Sequence, residues 1–526
     1  MWVMLATPEE LSNLSEAQLR ELAASLITEL RHKQTLITQL THEMAILKRL
    51  KFAAKAERFN AQQRSLLDED TDADLQGLSD EIDALTPQTT QAPTTPNKQP
   101  AGPKRQILPP DLPRHEIRHE PTEIVCGCGC QLKRIGEDVA EKLDYTPGVF
   151  SVERHIRGKW VCKRCETLIQ APVPAHVIDK GLPTAGLLAA VIIGKYLDHQ
   201  PLYRQEGIFA RSGVSIARST MAQWVGSVGL QLMPLVQAMK QTLLARSVLH
   251  ADETPVAMLD PGAGKTHRAY LWSYCTTLYD PISAVVFDFA DSRAGRHARQ
   301  FLGFDDERPQ SGWRGKLVCD DFTGYKALFA KGVVEAGCLA HARRKFYDLV
   351  ANHQSVVGAQ ALKHFGALYK VEEDVAKLAT AEDRLRWRGE HARPIALALR
   401  EWLIAQRLKV PNGSATARAI DYSLNRWQAL TRYIDDGELP ADNNRVENLI
   451  RPIALGRSNW LFAGSLRAGK RAAAIMSLVH TARINGHDPF VYLKDVLQRL
   501  PTHPVSRIEE LLPFNWQPPK PVSSAA

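Results

Sequence analysis

Three carboxylates in the 526-residue chain are placed to hold a hard metal ion against phosphate: Asp252, Asp320 and Glu447. VLHADETPV reads as a short apolar strand ending in acid, and KLVCDDFTGY as another. In a mixed sheet two such strands can be neighbours, which would bring Asp252 and Asp320 together. Glu447 lies in ADNNRVENLIRPIALGRSNWLFAGS, among Arg445, Arg451, Arg457, Arg467, Lys470 and Arg471. Asp442 can cap a short helix there, and Pro452 discourages its continuation. Sixty-eight residues separate the two aspartates, and 127 separate Asp320 from Glu447. Two aspartates and a glutamate make an oxygen-only site, which suits Mg²⁺ or Mn²⁺. Two such ions about 3.5–4 Å apart can activate an attacking oxygen and stabilise a leaving one at phosphorus. The competing readings are plain. Glu447 can be a surface salt bridge, and any three of 58 acidic residues can be picked. Glu253 and Asp321 adjoin the chosen aspartates, and Asp288 and Asp291 follow a strand.

These acids need a scaffold. From Ser247 the pattern is β-β-β-α-β-α-β, with HRAYLWSYCT and PISAVVFDFA as the second and third strands. His341 to Asp436 is rich in helix formers and reads as a helical insertion before the Glu447 helix. The chain is again mostly helical from Lys470 to Trp516. Upstream, PTAGLLAAVIIGKYLDH forms one apolar helix. IFARSGVSIARSTMAQWVGSVG then reads as helix, turn at Gly213, and a second helix opened by Ser215 or Ser219. That spacing suits a helix-turn-helix offering Arg218, Ser219, Thr220 and Gln223 to DNA. An all-structural helical hairpin is the alternative. Around Glu447, Arg445, Arg451, Arg457, Asn459, Trp460, Arg467 and Lys470 are the further DNA-contact candidates.

Five of the eight cysteines fall in one cluster: Cys126, Cys128 and Cys130, then Cys162 and Cys165. The second pair is a CxxC half-knuckle, and VFSVERHIRGKWVC before it alternates as a strand does. Two knuckles on a small sheet make a zinc ribbon, where thiolates supply folding energy that a small core lacks. Five cysteines are one too many for one Zn²⁺. Cys128 is expected to bind, partnered by Cys126 or Cys130, and a metal-free remnant is the rival.

At the N-terminus Leu19, Ala23, Leu26, Leu30, Lys33, Ile37, Leu40, Met44, Leu47 and Lys51 follow alternating steps of four and three. Such a heptad seam predicts a coiled coil, against a single helix packed on its own protein. An acidic stretch, Asp68 to Asp83, precedes a Pro/Thr-rich linker. Net charge is +8 and the pI is about 9.0, a balance that suits a polyanionic partner. Nothing approaches the ~18 consecutive apolar residues of a membrane helix. MWVMLATPEE turns acidic too soon for a secretory leader. A cytoplasmic, nucleoid-associated protein is expected.

HADET, CDDFTGY, CLAHARRKF and DNNRVENLIRPIALGRSNWLFAGS, in this order, closely resemble the transposases of the insertion-sequence sixty-six family. So do CQLKRIGEDVAEKLDYTPG, KYLDHQPLYRQE and the tail INGHDPFVYLKDVLQRLP with LLPFNW. The resemblance runs from the leucine-patterned N-terminus to Trp516. It implies a ribonuclease-H-like core with a DDE triad and a helical insertion before the glutamate. Matched motif by motif, the triad is Asp252 in HADET, Asp320 in CDDFTGY and Glu447 in NNRVEN. Asp320, rather than Asp321, keeps the five-residue step to Tyr325. Two departures stand out. Ser458 in GRSNW replaces a residue more often basic, and CGCGC replaces a plain CxxC.

The expected fold is thus multidomain α+β. Residues 1–85 form a helical coiled-coil region, 86–115 a linker and 116–175 a zinc-binding domain. Residues 176–245 form the helix-turn-helix-like region. The catalytic core spans 246–468, with its insertion at about 342–440, followed by a helical domain at 469–516 and a disordered tail at 517–526. The expected activity is cutting and joining of DNA. Water frees a 3′-hydroxyl at an element's terminal repeat, and that hydroxyl attacks target DNA. Two Mg²⁺ or Mn²⁺ ions and one structural Zn²⁺ are the implied cofactors. A homo-oligomer and small accessory proteins of the same element are the implied partners. A DNA-binding regulator that keeps the fold and a nuclease that cuts without joining are the rival readings.

Overall fold

The computed structural model describes residues 15–53, 61–86, 108–121, 125, 130–146, 148–178, 181–260, 265–308 and 310–518. The architecture is multidomain α+β. Among the described residues no helix is long and apolar enough to cross a membrane.

The seam residues from Leu19 to Lys51 lie on one long helix, α1 (Glu16–Ala53). Much of the seam is in water, with Leu30 61% exposed, while Leu40 is buried. The acidic stretch is not loose chain. It forms α2 (Ala61–Leu85), whose Ala73 and Leu78 are fully buried. Residues 87–107 of the expected linker and 519–526 of the expected tail lie outside the described residues; the described chain resumes at Leu108, which is buried. A four-stranded sheet follows: β1 (Arg114–His119), β2 (Leu132–Thr146), β3 (Val149–Cys162) and β4 (Leu168–Gln170). β2 and β3 form a long antiparallel hairpin, with β1 parallel and β4 antiparallel to β3.

Helices α3 (Ala185–Tyr196), α4 (Leu202–Arg211) and α5 (Arg218–Leu244) come next. α3 is apolar nearly all round and accordingly buried. The turn falls at Gly213, whose φ of +80° favours glycine. Neither Ser215 nor Ser219 opens α5. Its N-cap is Ala217, and the Glu206 carboxylate accepts the Arg218 N–H at 3.1 Å. α5 is a core helix: a Cβ on Gly226 would come within 2.2 Å of the Ala73 carbonyl of α2.

The β-β-β-α-β-α-β order is the one observed: β5 (Val248–Asp260), β6 (Lys265–Thr276), β7 (Val285–Ala290), α6 (Arg296–Phe301), β8 (Lys316–Cys319), α7 (Lys326–Phe329) and β9 (Val334–Gly337). The sheet order is β7-β6-β5-β8-β9, antiparallel across β7, β6 and β5, and parallel across β5, β8 and β9. The insertion comprises α8 (Leu339–His353), α9 (Val356–Val375), α10 (Ala381–Arg407), α11 (Ala415–Asn425) and α12 (Trp427–Thr431). Ser355, Thr380 and Ser414 cap α9, α10 and α11 through side-chain oxygens. The insertion has its own apolar core, built on Phe346, Phe365, Leu399 and Ile420 and continuous with Val248 and Val318 of the sheet.

The chain then returns through α13 (Asn444–Trp460), α14 (Leu466–Ile484) and α15 (Pro489–Arg499). The C-terminal helices do not stand apart. α14 lies along β7, where Ser477 and Thr481 accept the N–H groups of Phe287 and Val285. Those bonds cover a sheet edge that would otherwise invite pairing.

Candidate active site

β5 and β8 are parallel neighbours, with Val248 opposite Lys316 and His250 opposite Val318. That offset of 68 residues is also the separation of Asp252 and Asp320. Asp252 lies two residues beyond the last ladder pair on β5, and Asp320 two residues beyond it, just past the end of β8. Asp252 Oδ1 accepts the Glu253 N–H at 2.9 Å, and Asp320 Oδ1 accepts the Phe322 N–H at 2.9 Å.

Glu447 arrives on α13, which is fastened at both ends to the strand that carries Asp252. At the start, the fully buried Asn443 donates from Nδ2 to the Ala251 carbonyl at 2.9 Å and meets His250 Nδ1 at 2.8 Å. At the finish, Ala463 donates to Ala257 and accepts from Leu259. Between them the chain reverses at Leu461, with φ +60°, ψ −51° and a Phe462 N–H bond to the Trp460 carbonyl. This is a γ-turn, a strained conformation held by the structure around it.

The short helix expected before Pro452 is instead 17 residues long and runs through it. Buried Val446, Ile450, Ile453 and Gly456 face the core on both sides of the proline, and packing outweighs its local cost. The N-cap is Asn443 rather than the expected Asp442, which sits one residue earlier and accepts the Asn444 N–H at 3.0 Å.

The three acids feel one another. Asp252 is held well above the usual carboxylate range, first by burial and then by the nearby Glu253, Glu447 and Asp320 carboxylates; the Glu253 N–H opposes them. Glu447 Oε1 is buried without a hydrogen-bond partner. All three are oxygen donors, the kind a hard divalent cation takes, and such an ion would invert that electrostatic logic. Among the described residues the acid and sulfur or nitrogen donors whose ligand atoms lie within 4.8 Å of one another are Cys338, His341 and Glu447.

The alternative acids are engaged elsewhere. Glu253 is buried, takes Tyr325 OH at 2.7 Å and Arg293 Nε at 2.7 Å, and is no spectator. Asp321 is exposed and pairs with Lys326 and Arg426. Asp288 stands on β7, opposite Trp272 and two strands from Asp252. Asp291 pairs with Arg296 and His297. Asn443, Arg293 and His341 were not singled out from the sequence, because their partners lie far along the chain; Asn443 and His341 stand within the quoted motifs DNNRVEN and CLAHARRKF, and Arg293 stands in none.

Comparison with known proteins decides the family. The profile described as "Transposase IS66 family" matches residues 180–471. Uncharacterized protein y4qI of Sinorhizobium fredii is 35% identical over 92% of this chain and 89% of its own. Uncharacterized protein y4jD of the same organism is 34% identical over 78% of this chain and 82% of its own.

The chain belongs to the IS66 transposase family.

Three further profiles match this transposase: "IS66 C-terminal element" at 477–514, "zinc-finger binding domain of transposase IS66" at 123–166, and "Transposase C of IS166 homeodomain" at 39–117.

The DNA-contact candidates of the transposase divide by environment. Arg218, Ser219 and Gln223 are exposed at the start of α5, with Thr220 half-buried beside them. Arg451 and Lys470 are exposed, and Arg457, Asn459 and Trp460 half-buried. Arg204 on α4 lies 3.5 Å from Asn459 Oδ1, joining the helical hairpin to the helix that carries Glu447. Three arginine candidates are occupied within the protein. Arg457 donates to the Ala454 and Pro255 carbonyls. Arg445 reaches Ser283 Oγ at 3.3 Å. Arg467 pairs with Glu43 and Glu81 of the N-terminal helices.

The zinc-finger match supports a zinc ion. Cys162 is buried at the end of β3, packed with Leu132, Trp160, Ile169 and Cys130. Cys165 follows in the exposed turn. None of these three is in a disulfide, and their thiols fit zinc's preference for sulfur. Cys126 and Cys128 lie outside the described residues.

Proposed function

We propose that this chain cleaves the ends of its insertion sequence and joins the freed 3′-hydroxyls to target DNA. Asp252, Asp320 and Glu447 hold the divalent cations. When bound, those ions supply activation of the attacking oxygen and neutralise charge at phosphorus. The first step breaks a phosphodiester P–O bond with water and releases a 3′-hydroxyl. The second exchanges one P–O bond for another, so no energy source is needed.

This reading is supported by the charges of Asp320, just past the end of the neighbouring strand, and of Glu447, on a doubly fastened helix, both acting on the buried Asp252. The sheet order β7-β6-β5-β8-β9, with its first three strands antiparallel, supports a ribonuclease-H-like core. Arg218, Ser219, Gln223, Arg451 and Lys470 meet the phosphates, while Arg445, Arg457 and Arg467 serve the protein's own packing. The largely exposed seam of α1 is where a second copy pairs.

The test is incubation with the element's own ends, Mg²⁺ and a target plasmid, scoring cleavage and joining separately. Cleavage without joining would make the chain a nuclease, and binding without cleavage a regulator.

A further inference from the structure

We propose that His341 is a positioning residue for Glu447, holding one carboxylate oxygen so that the other faces the metal. This rests on the reading of Glu447 as a metal-binding acid. The argument begins with how two helix starts are joined. Leu339 at the start of α8 donates its N–H to the Ala441 carbonyl at 3.0 Å. The Asn443 N–H in turn donates to Cys338 Sγ at 3.2 Å. These two bonds lock the first turn of α8 against the first turn of α13. His341 and Glu447 each stand on those turns, and His341 Nδ1 lies 3.7 Å from Glu447 Oε1.

Both atoms are buried and neither has a hydrogen-bond partner. A buried polar atom without a partner is uncommon and calls for an explanation, and two facing each other call for one explanation. At 3.7 Å they are just beyond hydrogen-bond distance, so a shift of less than 1 Å makes Nδ1–H the donor and Oε1 the acceptor. Oε1 is then occupied, and Oε2 is left for the metal. Carboxylates that bind metal are commonly oriented in this way by a second group, and loss of that group costs about 10–100-fold in metal affinity.

Cys338, His341 and Glu447 lie close enough together to hold one ion themselves. The sulfur, however, is fully buried and already accepts the Asn443 N–H. It serves the helix junction, which leaves the histidine and glutamate as the working pair.

The experiment uses the full-length protein without DNA and follows Mn²⁺ binding by electron paramagnetic resonance. His341→Ala is expected to weaken Mn²⁺ binding about tenfold. His341→Asn keeps an N–H donor near the place of Nδ1 and is expected to recover most of that loss. In a Glu447→Gln background the further effect of His341→Ala is expected to vanish, because one residue acts through the other. DNA binding and the thermal midpoint of His341→Asn should match the parent, which separates the effect from misfolding. Should His341→Ala bind Mn²⁺ as the parent does while Glu447→Gln does not, this inference falls and the triad stands. If Glu447→Gln also binds Mn²⁺ normally, the triad reading itself fails. Loss of a second equivalent of zinc on His341→Ala would make the three residues a zinc site and overturn the positioning role.

Discussion

Asn443 and His250 are joined across 193 positions of sequence by a 2.8 Å hydrogen bond. Asn443 Nδ2 donates to the Ala251 carbonyl, so its Oδ1 accepts, and His250 Nδ1 must carry the proton. Burial lowers the His250 imidazole to about 4, which keeps that ring neutral. One amide thus fixes the tautomer of a histidine two residues before Asp252 and the start of the helix four residues before Glu447.

Asn443→Ala strands the buried His250 N–H and the Ala251 carbonyl. The expected loss is about 2–3 kcal/mol of stability, read from urea unfolding. Cleavage should fall by more than DNA binding does, because the helix carrying Glu447 loses one of its two fastenings. Strand cleavage by Asn443→Ala at the parental rate would show that the bracket does not place the glutamate.

The N-terminal helices make a second prediction. Arg471 is 6% exposed in its side chain and pairs with the fully buried Asp74 at 2.5 Å. Glu69 accepts from Lys195 and from the Leu202 and Tyr203 N–H groups, capping α4, which has no side-chain cap of its own. Removing residues 1–59 should lower the mass in solution, since the heptad seam goes, yet leave the core folded. Removing residues 1–86 should abolish folding, because it exposes α5 and leaves two buried cations unpaired. Asp74→Ala alone should cost about 3–5 kcal/mol, the typical penalty for one orphaned partner of a buried pair. Thermal melts of all three variants check this, and a stable 87–526 fragment would contradict it.

How far the sequence could be read follows from where partners lie. The strand leading to Asp320 was legible as a short apolar run closed by acid, but the strand that carries Asp252 runs eight residues past it to Asp260, and the 68-residue offset between the two strands shows only in their ladder. The length of α13 was not legible, because Pro452 argues locally for a stop while Ile450 and Ile453 bury against distant elements. Asp68 to Asp83 was read as acidic and within a helical region, but its buried ion pairs were not legible, since the cations it meets, Lys195 and Arg471, lie more than a hundred residues away. Ser215 and Ser219 looked like caps because caps are usually local; here the acceptor is Glu206 across the turn. Glu253 read only as a carboxylate adjoining Asp252, and nothing nearby announced Tyr325 and Arg293 as its partners.

Zinc gives a third prediction. About one equivalent per chain is expected by metal analysis, from one four-thiolate site. Cys162→Ser or Cys165→Ser should abolish it. Cys130→Ser should do so as well if Cys130, packed beside Cys162, is the partner of Cys128. Retention of zinc in Cys130→Ser and loss in Cys126→Ser would assign the spare cysteine the other way.

The last prediction concerns the triad. Asp252→Asn, Asp320→Asn and Glu447→Gln should each abolish cleavage and joining while leaving DNA binding largely intact. An amide keeps the shape but loses the charge that holds a divalent ion. DNA binding rests on lysines and arginines meeting phosphates, a separate contribution that falls as salt rises. Asp321→Asn is the control, because Asp321 is exposed and its partners Lys326 and Arg426 also pair with Glu335. Glu253→Gln is not a second control. Its carboxylate holds Arg293, whose guanidinium lies 4.0 Å over the Phe322 ring, two residues from Asp320. Loss of that charge should release Arg293 and lower cleavage to a level between the control and the triad variants. The measurement is strand cleavage of a labelled element end at fixed salt and Mg²⁺. Near-parental cleavage by any triad variant, or a loss confined to Asp321→Asn, would mean that other carboxylates hold the metal.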